Sequence, residues 1–117
     1  MKASVHEWLE DLPCRVRHVD VNDPVVVLAG DAWSLAVTCP WRGLLSGVEM
    51  SWLDPGIEDW LWHAVGEELT SVDFSSPASV RFTFTNGWLE VEPDTDLDPW
   101  VLRLPAGVLV GGMQHPA

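Results

Sequence analysis

A chain of 117 residues that is 47% hydrophobic is long enough for one domain with a real core, and too apolar to be disordered despite its charge. Eighteen acidic residues against six basic ones give a net charge of −12, which excludes nucleic-acid backbones and anionic membrane surfaces as partners and favours a basic protein or a cation. No apolar run approaches the roughly 20 residues that cross a bilayer, and Met1 to Glu7 lack the apolar stretch of a signal peptide, so the expectation is a soluble cytoplasmic protein.

The first expected element is a short helix. Ser4 and Glu7 stand at capping-box spacing, and Val5, Trp8, Leu9 and Leu12 then share one helical face until Pro13 stops it. A strand over roughly Arg15 to Val21 follows. Val25 to Leu28 and Trp33 to Val37 then read as a hairpin turning at Gly30-Asp31, with Leu28 opposite Trp33 and Val26 opposite Leu35. Its second face, Val25, Val27, Ser34 and Ala36, is apolar enough to be covered as well. Pro40 to Leu45 turns at Ser46-Gly47 into Val48 to Trp52.

The same series then recurs. Asp54-Pro55 supplies an N-cap and an N1 proline, and Ile57, Trp60, Leu61, Ala64 and Val65 form an apolar stripe ending at Gly66. A strand over Leu69 to Phe74 precedes the clearest hairpin, Val80 to Thr85 and Trp88 to Glu92 around Asn86-Gly87. A type I′ turn at Asn-Gly sets Phe84 against Leu89, Phe82 against Val91 and Arg81 against Glu92. One face then carries Val80, Phe82, Phe84, Leu89 and Val91; the other carries Arg81, Thr83, Trp88 and Glu90. Pro99 to Leu104 and Val108 to Val110, turning at Pro105 to Gly107, complete the second copy.

Trp8-Leu9, Val19-Asp20, Pro24, Pro40-Trp41 and Gly47-Val48 thus reappear as Trp60-Leu61, Val72-Asp73, Pro77, Pro99-Trp100 and Gly107-Val108. The expected fold class is α+β. One domain over 1–117 holds two tandem α-β-meander repeats, about 4–52 and 54–112, related by a pseudo-two-fold, with mostly antiparallel sheet, two short helices and a tail at 111–117.

The run Trp33 to Arg42 has the pattern W-x-L-x-V-x-x-P-W-R. With Phe84 to Val91, Pro93-Asp94 and Trp100 to Leu102, it resembles a family of small uncharacterised actinobacterial proteins, a domain of unknown function. The resemblance spans about residues 15 to 112. It implies a small cytoplasmic protein, some relatives of which are associated with toxin immunity, and it supplies no catalytic residues.

Little in the chain points to catalysis. His6, His18, His63 and His115 lack metal-ligand spacing, no serine sits in a nucleophile elbow, and Gly111-Gly112 is not a phosphate loop. Cys14 and Cys39 form no C-x-x-C pair, so reduced thiols are expected, and no cofactor is implied. Glu90, Glu92, Asp94, Asp96 and Asp98 alternate where the second copy carries an insertion, and could gather oxygen ligands. An EF-hand would need glycine where Pro99 stands and glutamate where Pro105 stands, so the bland reading is a solvated acidic loop, or carboxylates paired with Arg42 or Arg103.

Eight tryptophans and no tyrosine are the other anomaly. Trp8, Trp33, Trp41, Trp60 and Trp100 are expected in the core, and Trp52 near a loop. Trp62 lies off its helix stripe, and Trp88 points away from the main hairpin core face. Both are candidate anchors for a protein partner, the bland alternative being a second small core. The leading expectation is a non-enzymatic acidic protein-binding domain, an immunity-type inhibitor of a basic toxin. Its binding residues would be Trp62, Trp88, Glu90, Glu92, Asp94, Asp96 and Asp98. The competitors are a small-ligand binder or enzyme with a Trp-lined cleft between the repeats, and a structural module that forms homodimers.

Overall fold

The computed structural model describes residues 12–22, 25–38, 40–76, 79–92, 100–105 and 107–110, with side chains 74–76, 109 and 110 outside that description. Eleven strands and one short helix lie within them. The first six strands are β1 (Cys14–Arg15), β2 (His18–Asn22), β3 (Val25–Ala29), β4 (Ser34–Val37), β5 (Trp41–Leu45) and β6 (Val48–Ser51). Helix α1 (Ile57–Leu61) follows, continued by a 3-10 turn, Trp62–Ala64. Then come β7 (Glu68–Ser76), β8 (Ser79–Phe84), β9 (Gly87–Val91), β10 (Trp100–Leu104) and β11 (Gly107–Val110). The first expected helix falls outside the described residues, as do Trp8 and Cys39.

The strands form two antiparallel sheets, ordered β1-β7-β8-β9-β5-β6 and β11-β10-β4-β3-β2, so the fold is mostly β with one short helix among the described residues. Period-two alternation gives each sheet one apolar face. Val26, Leu28, Leu35, Val37, Leu102 and Leu104 are buried from the five-stranded sheet; Leu69, Val80, Phe82, Phe84, Leu89 and Val91 are buried from the six-stranded one. They join one core, and Phe82 meets Trp100 edge-to-face at 5.2 Å across the two sheets. Trp33, Trp41, Trp60 and Trp100 are all buried, as their apolar settings predict, while Trp52 is half-buried against the core.

Helix α1 packs against β2 and β6, an edge strand of each sheet. Ile57, Trp60, Leu61 and Ala64 face inward. Trp60 stacks on Trp41 at 5.4 Å with 12° between the planes, and its indole N–H donates to the Val48 carbonyl at 2.8 Å.

The helix departs from expectation at both ends. Its N-cap is Gly56, at φ +82°, not Asp54. The Asp54 carboxylate instead accepts from the Ser51 backbone N–H at 2.9 Å and from the Ser51 hydroxyl at 3.3 Å. Asp54 therefore satisfies the end of edge strand β6, which would otherwise present open backbone groups. Val65 is exposed, not part of the buried stripe. The chain tightens to 3-10 at Trp62 and turns extended at Val65, so helical projection stops applying.

The strand expected over Arg15 to Val21 is broken in two. Cys14–Arg15 pairs with β7 and His18–Asn22 with β3, so the chain crosses between sheets at Val16-Arg17. The crossing is held by Val16 N–H to the Glu67 carbonyl and Arg17 N–H to the Ala29 carbonyl, both 2.8 Å.

Both long hairpins pair two residues out of the expected register. Leu28 opposes Leu35 and Val26 opposes Val37; Phe82 opposes Leu89, and Arg81 opposes Glu90 where Glu92 was expected. A shift of two keeps every side chain on its predicted face. In the first hairpin, Trp33 belongs to a longer loop, its indole N–H donating to the Arg15 carbonyl at 2.8 Å. In the second, the turn residues are Thr85-Asn86. They are tied to the start of β7 by Thr85 N–H to the Glu68 carbonyl at 3.0 Å and by Asn86 N–H to the Glu67 carboxylate at 2.9 Å. The Ser46-Gly47 turn does carry positive φ at both residues, as a type I′ turn requires. The outer valines Val25 and Val27 are half-buried.

Candidate functional site: the outer face of the six-stranded sheet and helix α1

Register decides which polar groups meet. Arg42 lies opposite Glu90, and Glu90 opposite Arg81, so one row of β5, β9 and β8 reads basic, acidic, basic. Glu90 takes both arginines: Arg42 Nη2 reaches Oε1 at 2.8 Å and Arg81 Nη2 reaches Oε2 at 3.4 Å. Hydrogen bonding from Arg42, helped by the charge of Arg81, holds the Glu90 carboxyl below the usual carboxylate range against the opposing pull of desolvation. The same hydrogen bond raises Arg42 above its ordinary value.

Trp88 occupies the next row, between Thr83 and Leu44. It points outward, as the alternation predicted, but it is half-buried. The Arg81 guanidinium lies 4.1 Å from its ring centroid and that of Arg42 lies 6.0 Å away. Trp88 is thus a platform for two arginines of its own chain. Beside it lies an open groove of about 310 Å³, bounded by Trp88, Arg42, Glu49, Met50, Ser51 and Asp54. A second groove, about 370 Å³, runs from Val21 along Asp54 to Asp59 and shares Asp54 with the first.

Helix α1 lies against the inner side of β5, where Trp60 meets Trp41 and Gly43. Trp62 is 54% exposed, Leu53 78% and Val48 49%. The indole bond from Trp60 to the Val48 carbonyl places α1 beside the start of β6. Glu49, Asp54, Glu58 and Asp59 are carried on the same β6–α1 segment, all exposed. None of them forms one of the ion pairs found among the described residues, where Arg15 meets Glu68, Arg17 meets Asp31, and Arg42 and Arg81 share Glu90.

The residues singled out from sequence therefore divide. Trp62 is exposed. Glu90 is committed to two arginines. Glu92 is exposed, with its backbone N–H on the Pro40 carbonyl at 3.0 Å. Asp94, Asp96 and Asp98 lie outside the described residues. No group of three metal-ligating side chains occurs among the described residues. Sequence reasoning passed over Arg42, Glu49, Asp54, Glu58 and Asp59 as site residues. Glu58 and Asp59 could have been found, because they lie off the apolar stripe beside Trp62. Arg42 was legible only as a candidate partner for the acidic residues, and it is indeed the partner of Glu90.

No described helix is long and apolar enough to cross a membrane. Comparison with protein-family models, curated proteins and solved structures finds no match to this chain. The class that the fold defines is a mostly antiparallel two-sheet β domain closed along one side by a short helix.

Proposed function

We propose that this is a non-enzymatic, cytoplasmic protein-binding domain that recognises a basic partner, in the manner of an immunity-type inhibitor. One observation carries the reading. Trp62, Val48 and Leu53 are exposed on the same β6–α1 segment as four carboxylates that take no part in the arginine pairs. Protein interfaces concentrate their energy in aromatic anchors, and unpaired acidic groups around an anchor steer a basic partner. The −12 net charge extends that steering over the whole surface.

We also read the scaffold as a duplicated α-β-meander with a pseudo-two-fold. The supporting fact is that β7-β8-β9-β5-β6 and β2-β3-β4-β10-β11 are the same order once each second-copy strand is matched to its first-copy counterpart. Apart from β1, each sheet then takes three strands from one copy and a hairpin from the other.

The test is titration calorimetry against a panel of basic proteins at low and at physiological salt. Binding should weaken with salt, and Trp62→Ala should cost a bound partner about 2 kcal/mol or more. Absence of binding to every basic protein at low salt, or unchanged binding by Trp62→Ala, would overturn the proposal.

A further inference from the structure

We infer that the groove beside Trp88 receives a cationic side chain, lysine or arginine, projected by the basic partner. The inference rests on the protein-binding reading above and adds where the partner is gripped.

The groove is a made recess on an otherwise flat sheet face. Its long wall is the Trp88 ring with Arg42 at one end. Its opposite wall is Glu49, on β6 across from Leu44, and Asp54, turned back onto Ser51 by two hydrogen bonds. Arg42 and Arg81 share the one carboxylate of Glu90, which leaves a single positive charge beside Trp88, and Glu49 and Asp54 together outnumber it and make the recess negative. Arg81 demonstrates the chemistry within the molecule: the indole of Trp88 accepts a guanidinium on its face at 4.1 Å. A lysine or arginine entering the groove would lay its methylenes along the indole and bring its charge to Glu49 and Asp54. An anionic side chain would meet those two carboxylates instead. A neutral apolar one would bring no charge to either of them.

The experiment uses the full chain with blocked hexalysine and hexaarginine peptides as probes and hexaglutamate as control, followed by backbone amide and indole N–H chemical shifts. Both basic probes should shift the Trp88 indole and the amides of 49–54, and hexaglutamate should not. Glu49→Gln with Asp54→Asn should weaken hexalysine about tenfold. Because Asp54 also supports β6, Glu49→Gln alone is the companion variant, and it should give a few-fold loss with an unchanged urea midpoint. Glu58→Gln with Asp59→Asn, outside the groove, should weaken binding less than the groove pair does. If hexalysine binds but shifts residues elsewhere, or the groove variants bind as wild type does, the inference fails and the protein-binding reading stands. If no basic peptide and no basic protein binds, both fail.

Discussion

Gly87 offers the sharpest test of the packing argument. Asn86-Gly87 is the sequence signature of a type I′ turn, in which the glycine is needed because φ is positive. The structure assigns it a different role. Among the described residues the glycines with positive φ are Gly47, Gly56 and Gly66, and Gly87 is not one of them. Gly87 is paired with both Phe84 and Leu45, and a Cβ placed on it would run into the backbone carbonyl of Leu44. Relief requires parting β9 from β5. Overpacking of this kind costs about 1–3 kcal/mol, and loosening the ladder adds about 1 kcal/mol for each hydrogen bond weakened, so Gly87→Ala should cost about 3 kcal/mol. With a urea slope near 2 kcal/mol/M, the midpoint should fall by about 1.5 M. Gly47 is the control: φ is +80° and a Cβ there meets nothing within 4 Å, so Gly47→Ala should cost only the left-handed backbone penalty, about 1–2 kcal/mol. Asparagine separates the two causes, because it tolerates positive φ but carries more bulk. Gly47→Asn should be milder than Gly47→Ala, while Gly87→Asn should be no better than Gly87→Ala. If asparagine rescues position 87, Gly87 serves the turn and the steric account is wrong.

Three further outcomes are expected. Trp60→Ala should cost about 3–5 kcal/mol, and a double-mutant cycle with Trp41→Ala should show a coupling of about 0.5–1.5 kcal/mol from their stack, read by urea unfolding; additivity would mean that the rings merely fill volume. Trp33→Phe should destabilise by about 1–3 kcal/mol, because the Arg15 carbonyl loses its indole donor at the crossing between sheets, and amide exchange at Val16 and Arg17 should quicken. Glu90 titrates lower folded than unfolded, so its contribution is fully present above the ordinary carboxylate range and is lost as pH falls through the lower folded value. Urea midpoints measured between about pH 6 and pH 3 should therefore drop less steeply for Glu90→Gln than for wild type; parallel curves would show that the two arginines do not hold that proton off.

The amino-acid sequence by itself determined what depends on local chemistry. Alternation at Val80, Phe82, Phe84, Leu89 and Val91 assigns inner and outer faces, and it does so even with the register wrong by two, because faces depend only on parity. Ser46-Gly47 specifies its turn, since only a few residues accept positive φ in succession. The −12 charge and the core tryptophans are likewise legible in the chain. Tertiary structure decided what depends on contacts distant in sequence. The turn falls at Thr85-Asn86 and not at Asn86-Gly87 because Glu67 and Glu68 hold those two residues and Leu44 closes on Gly87, none of them a neighbour in the chain. The arginine pair on Trp88, and the groove beside it, exist only because β5 lies against β9. Local propensities are worth a few tenths of a kcal/mol to about one each, whereas a buried indole or a ladder displaced by a clash is worth several, so the packing prevails wherever the two disagree.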